Sequence, residues 1–243
     1  MANFVLVHGA WHGAWCWQRV LAALHQQGQR AHAVTLTGLG ERAHLLSPDI
    51  TLETHIEDVR RLIEAEELDD VVLAVHSYAG MIGTAIADRM GGRLKHLVYV
   101  DAVVPKPGES WSSTQSRATQ EQRLSAAAAS QDFSFPPPDP SVFGLAGADH
   151  DWVQRRQTPH PGHTYRMPLN FDMQRVASVA RTYVNCTEPA LPTIEPSRLR
   201  VKDPGFWDGA WARGARVLEL PTGHDPMISD PAALTRILMD CGG

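Results

Sequence analysis

The chain has 243 residues, 43% hydrophobic and 20% charged, with a net charge of −5. That length supports one globular unit with a sizeable core. The acidic balance and the lack of any Lys/Arg run exclude nucleic acid and anionic membrane surfaces as expected partners, and no apolar stretch is long enough to span a bilayer.

The chain opens as a short apolar strand over 4–7, with no basic head of the kind that begins a signal peptide. A Gly- and Trp-rich loop, His8-Gly9-Ala10-Trp11-His12-Gly13-Ala14-Trp15, follows. A helix is expected over 16–27, with Val20, Leu21 and Leu24 on one face, then a strand over 30–36 and a glycine-punctuated loop over 37–41. Thr51 is the natural N-cap of the next helix, expected over 54–66. Val71-Val72-Leu73-Ala74-Val75 reads as a buried parallel strand. It breaks at His76-Ser77, and small and apolar residues continue at helical spacing to about 90. Residues 94–100 form another apolar strand, ending at Asp101.

Regularity stops after Pro105. From there to about 178 no strand pattern appears, and Pro136-Pro137-Pro138-Asp139-Pro140 can be neither helix interior nor central strand. Segments 120–129 and 174–179 look helical. An excursion of this length within a compact unit usually covers a functional site, so 105–178 is expected to be a lid on a core made of 1–104 and 179–243. Alternation then resumes with strand 181–186, helix 196–202, strand 216–220 and helix 231–240. Strands alternating with helices imply a parallel sheet with right-handed crossovers.

In such sheets ligands sit beyond the carboxyl ends of the strands. The residues found there are His8-Gly9-Ala10, Ser77, Asp101, Thr187-Glu188 and Gly223-His224. Ser77 at a sharp strand-to-helix corner is a candidate nucleophile, although Val75 and Ala79 stand where G-x-S-x-G carries glycine; the bland alternative is an N-cap serine. His224 is the candidate general base, being the residue type that exchanges protons near neutral pH. The backbone N–H groups of Ala10 and Tyr78 are candidate oxyanion donors. Trp11, Trp111, Phe133, Phe135, Phe143 and Trp152 are candidate pocket liners. Neither His8/His12, His160/His163 nor Asp149-His150-Asp151 sits in a metal-site context, so no metal or cofactor is expected. Cys16, Cys186 and Cys241 are odd in number and scattered, which suits reduced thiols in a cytoplasmic protein.

Residues 4–17, the His76-Ser77-Tyr78-Ala79-Gly80 corner and Gly223-His224 resemble the plant methyl esterase and hydroxynitrile lyase group of the α/β-hydrolases. Leu36-Thr37-Gly38-Leu39-Gly40-Glu41 and Leu97-Val98-Tyr99-Val100-Asp101 bring the chain nearer to bacterial esterases of that group. The resemblance covers roughly 3–108 and 181–240. It implies an α/β-hydrolase fold, Ser77 as nucleophile, His224 as base, and Ala10 with Tyr78 as oxyanion hole. For the acid it leaves two candidates. Glu188 follows the strand that carries the acid in plant members and is favoured; Asp101, one strand nearer the nucleophile, is the rival. Lyase members carry threonine where Gly9 stands and lysine where Asp225 stands, so both residues point to hydrolysis. The expected partner is a small-molecule ester with an apolar or aromatic group. The alternatives are a non-catalytic small-molecule binder and, less favoured, a cyanohydrin lyase.

Overall fold

The computed structural model describes residues 2–203, 205–206 and 216–243. Six strands form one parallel sheet: β1 (Asn3–Val7), β2 (Arg30–Val34), β3 (Val71–His76), β4 (Leu94–Val100), β5 (Arg181–Cys186) and β6 (Arg216–Leu220). Their order across the sheet is β6-β5-β4-β3-β1-β2. Every residue of β3 and β5 is buried, as a parallel sheet covered on both faces requires. Each fully buried Val or Leu of this layer contributes roughly 1.5–3 kcal/mol.

Two helix pairs supply the cover. Helix α1 (Gln18–Gln26) packs on α7 (Pro231–Gly242), and α2 (Leu52–Ala65) packs on α3 (Gly80–Met90). Thr51 caps α2 in a reciprocal capping box with Thr54, which replaces the usual Glu or Gln. The chain runs from β1 outward to β2, then returns past β1 to β3. Strand order therefore reverses between β1 and β3, and a crevice opens at their carboxyl ends.

Two boundaries differ from expectation for local reasons. Strand β2 ends at Val34 because the Leu36 N–H leaves the ladder and donates to His8 Nε2 at 3.1 Å. The helix expected from residue 16 begins instead as a 3₁₀ turn, Ala14–Trp17, before α1.

Between β4 and β5 the chain builds α4 (Arg117–Ala128), α5 (Gly147–Gln154) and several short turns. Ser116 caps α4 by accepting from the Thr119 N–H. This stretch is not wholly without strand: Glu109–Ser110 pairs with Pro168–Leu169, and Ser134–Phe135 with His160–Pro161, both antiparallel. Such two-residue pairs are too short to leave a period in the sequence. Beyond β5 comes α6 (Glu195–Lys202), whose Ser197 Oγ accepts from the Val104 N–H at 3.0 Å in the loop after β4. Among the described residues no helix is long and apolar enough to cross a membrane, and Cys16, Cys186 and Cys241 are all free and buried.

Candidate active site

Ser77 sits in the corner between β3 and α3 with φ +54°, a left-handed backbone that a non-glycine residue adopts at a cost of order 1–3 kcal/mol. The room for this turn comes from glycines other than those of the usual pattern. A Cβ on Gly80 would lie 1.9 Å from Val103 O, and one on Gly83 would lie 2.8 Å from both Val75 methyls. Gly83 thus makes space for Val75, and Gly80 allows α3 to approach the loop after β4. The Val103 N–H donates to Ser77 O at 2.9 Å and ties that loop to the corner.

Three side chains from three strand ends meet here. His224 Nε2 lies 2.9 Å from Ser77 Oγ, and His224 Nδ1 lies 2.7 Å from Asp101 Oδ2. All three residues are buried, Ser77 being the most accessible at 8%. Asp101 also has a positive φ, +41°, which turns its carboxylate under His224 just past the end of β4. The structure thus sets Asp101, not the favoured Glu188, against His224. Glu188 is exposed, and its backbone N–H donates to Thr222 O at 3.0 Å. The physical reason is strand order: β4 lies directly beside β3, whereas β5 is one strand further out.

A residue the sequence did not flag completes this group. Arg198, on α6 and only 4% exposed, reaches Asp101 Oδ1 through Nε (3.1 Å) and Nη2 (3.0 Å), and Oδ2 through Nη2 (2.9 Å). Its Nη1 donates to Leu191 O at 2.8 Å.

The loop after β1 abuts the corner. A Cβ on Gly9 would lie 2.7 Å from Ser77 Cβ, and the adjacent Ala10 and Tyr78 are both buried. His8 pins this loop by donating from Nδ1 to Gly9 O at 2.7 Å while accepting from Leu36. Burial holds its imidazole neutral, its pKa pulled down to about 3. The Tyr78 hydroxyl lies 3.1 Å from His55 Nδ1, whose other nitrogen donates to Thr37 O.

Behind the group, Asp225 is fully buried beside His12 and His76. His12 Nε2 is 3.1 Å from Asp225 Oδ2, and His76 Nε2 is 3.4 Å from Oδ1. Burial works against both charges, but the His12–Asp225 attraction outweighs it. The His12 pKa is raised, and that of Asp225 falls to about 2. His76 donates from Nε2 to His224 O at 2.8 Å, and burial keeps it neutral. The negative charge next to His224 is therefore balanced in place by His12, which weakens the inference drawn from Asp225 alone against cyanide chemistry. His76, His224 and Asp225 bring one ligand-type atom each within 4.8 Å of one another. A cation there would have to displace bonds already made: both His224 nitrogens are engaged, as is His76 Nε2.

A cavity of about 380 Å³ opens onto Ser77 and His224. Trp11, Trp111, Phe135 and Phe143 line it; Phe133 and Trp152 do not. Phe133 has φ +48°, which turns its ring away from the cavity to stack on His163 at 4.3 Å. Trp152 projects from α5 onto Trp15, ring centroids 5.1 Å apart. Unforeseen liners include Thr119, Gln122, Arg123 and Ala126. Their i, i+3, i+4, i+7 spacing on one face of α4 was the available signal, hidden because three of the four are polar.

A sequence profile of the alpha/beta hydrolase family matches residues 4–237. The chain is 40% identical to a carbendazim hydrolyzing esterase from Nocardioides sp., over the full length of both. It is 27% identical to methylesterase 7 of Arabidopsis thaliana, covering 98% of this chain and 95% of that one. Among solved structures, an extracellular alpha/beta-hydrolase from a Paenibacillus species superposes with a TM-score of 0.81 at 21% identity, over 100% of this chain and 99% of the other. Polyneuridine aldehyde esterase superposes with a TM-score of 0.74 at 21% identity, over 100% of both chains.

Proposed function

Because the chain belongs to the alpha/beta hydrolase family, we propose that it hydrolyses small carboxylic esters through an acyl-enzyme on Ser77. The observation that carries this reading is the hydrogen-bonded run Ser77–His224–Asp101, at 2.9 and 2.7 Å, with the serine held at φ +54°. Ser77 Oγ attacks the ester carbonyl while His224 Nε2 takes its proton. Asp101 holds the Nδ1–H and stabilises the imidazolium that forms. The developing oxyanion is met by the backbone N–H groups of Ala10 and Tyr78, at the end of β1 and the start of the corner. His224 then gives its proton to the leaving alcohol. Water, activated by the same imidazole, releases the acid and restores Ser77.

The cavity wall is mostly apolar, with four aromatic rings, which suits a small apolar or aromatic acyl or alcohol group. Much of that wall comes from 105–178, which we assign as the lid over a core of 1–104 and 179–243. No cofactor enters the chemistry. Three buried free thiols fit a reducing, cytoplasmic setting. The crowding at Gly9 favours hydrolysis over the lyase reading: a threonine there would force its Cβ against Ser77.

The test is direct. A fluorophosphonate probe should label the wild type and fail on Ser77→Ala, and a panel of methyl, alkyl and aryl esters should be turned over only by the wild type. A Ser77→Ala protein that keeps its fold and more than a few per cent of the activity removes the nucleophile assignment, and cyanide release from mandelonitrile would move the reading to the lyase class.

A further inference from the structure

The cavity beside Ser77 holds one cation, and no acidic side chain lines it among the described residues. Arg123 reaches in from the inner face of α4. Its guanidinium lies 5.0 Å from the Trp111 ring centroid, 5.3 Å from Tyr165, 5.4 Å from Trp11 and 5.8 Å from Phe135. Four rings thus surround the group in an aromatic box, so little further ordering is needed for it to bind a ligand.

The box does not satisfy the group it holds. Arg123 Nη1 is buried and meets no hydrogen-bond partner. The neighbour that acts on the charge is the buried Tyr165 hydroxyl, a neutral group, and no carboxylate on the cavity wall offsets it among the described residues. Elsewhere in this protein, buried or half-buried arginines find acceptors: Arg198 has Asp101, and Arg200 has Glu109. A desolvated cation with no carboxylate beside it is costly. It persists where something outside the chain completes it, and a guanidinium fork is best completed by a carboxylate.

We propose that Arg123 is a substrate-binding residue that selects esters carrying a second, anionic oxygen group: a half-ester of a dicarboxylic acid, its free carboxylate on Arg123 and its ester carbonyl at Ser77. This rests on the ester-hydrolase reading and narrows it. The aromatic rings then contact the carbon chain between the two ends, and the cavity volume of about 380 Å³ keeps that chain short. The reaction itself is unchanged: Ser77 Oγ bonds to the acyl carbon, the bond to the alkoxy oxygen breaks, and the carboxylate on Arg123 takes no part.

The experiment compares the para-nitrophenyl half-ester of glutaric acid with its methyl diester and with para-nitrophenyl hexanoate, which is close in shape and lacks the second group. The wild type should favour the half-ester in kcat/KM by at least about tenfold, the usual scale of one charge-assisted hydrogen bond. Arg123→Gln should lose the half-ester at least about tenfold more than the hexanoate, and Arg123→Lys should restore part of the difference. A loss equal for all three esters would mean that Arg123 only supports the rings, and would overturn the proposal. So would a diester as good as the half-ester, which would show that no anion is selected. Binding is read separately by titrating Ser77→Ala with monomethyl glutarate and following tryptophan fluorescence. Saturable quenching that Arg123→Gln abolishes supports the carboxylate site even if no ester is turned over; its absence from the folded protein overturns it, whatever the esterase assays show.

Discussion

The Arg198 guanidinium grips both oxygens of the Asp101 carboxylate, with contacts of 2.9 to 3.1 Å, while Oδ2 of the same carboxylate lies 2.7 Å from His224 Nδ1. The carboxylate bonded to the histidine is thus itself ion-paired, with both partners buried. The pairing fixes the carboxylate against rotation and draws off part of its charge. Breaking a buried pair by removing one partner costs ~3–5 kcal/mol, because the other charge stays behind uncompensated. Arg198→Met should therefore lower the denaturant midpoint markedly. It should also lower kcat with KM little changed, since the carboxylate it fixes would no longer hold the imidazole in place. A stability loss with kcat unchanged would assign Arg198 a purely structural role.

Asp101 and Glu188 should separate cleanly in kinetics. Replacing the acid of a serine–histidine unit by its amide can cut kcat by up to ~10⁴, as the serine-protease case shows. Asp101→Asn should approach that loss. Glu188→Gln, at an exposed position, should change kcat less than about twofold, in line with ordinary surface substitutions. Steady-state kinetics on one ester, with circular dichroism to confirm folding, decides between them. A steep loss in Glu188→Gln would refute the geometric assignment.

The contrast between these two carboxylates shows what sequence could and could not convey. The β3 strand and the break at His76-Ser77 are local events, written in a few neighbouring residues. Which strand end lies nearest Ser77 is not local. It depends on β4 pairing with β3 while β5 pairs on the far side of β4. Arg198 was illegible for the same reason: it reaches Asp101 across 97 positions of chain. Phe133 and Phe135 show a different failure. Their spacing suggests a shared face, but a left-handed backbone at Phe133, rare for an aromatic residue, sends the rings to different places.

The pocket should report that difference. Phe135→Ala and Phe143→Ala should change the ratio of kcat/KM between bulky and small esters, because both rings line the cavity. Phe133→Ala and Trp152→Ala should leave the ratio unchanged while lowering stability, as their rings pack on His163 and Trp15. An ester panel with parallel thermal melts checks both halves. A specificity change in Trp152→Ala alone would place the acyl site outside this cavity.

Val75 and Gly83 should behave as a coupled pair. Gly83→Ala puts a methyl 2.8 Å from both Val75 branches, an overpacking that costs typically ~1–3 kcal/mol. Val75→Ala removes those branches, so the double variant should recover most of the loss. The double-mutant cycle measures the coupling. Additive effects would mean that the corner tolerates Val75 for some other reason.

Acid should unfold this protein early, and the cause is histidine. Burial pulls the pKa of His8 down to about 3 and those of His55 and His96 to about 4, and it holds His76 and His160 well below 6.5. The unfolded chain binds a proton at each of these sites near 6.5 while the native state refuses it. Stability therefore falls as pH drops below 6.5, by up to ~1.4 kcal/mol per pH unit for each such group. The other shifted pair acts elsewhere. His12, with its raised pKa, contributes fully below 6.5 and loses its contribution only as pH rises through its folded value. Asp225, lowered to about 2, contributes above 3.8 and loses its share only as pH falls toward 2. Neither can offset the histidines between 6.5 and 4. Five such groups together cost up to about 10 kcal/mol by pH 5, comparable to the ~5–15 kcal/mol by which a typical domain is stable, so stability should fall steeply between pH 6.5 and 5. Thermal melts from about pH 7.5 down to about 4.5 should show the midpoint holding above 6.5 and then falling steeply, with proton uptake on unfolding of more than one per molecule. A midpoint that stays level down to pH 5 would mean that these histidines are not held neutral in the native state.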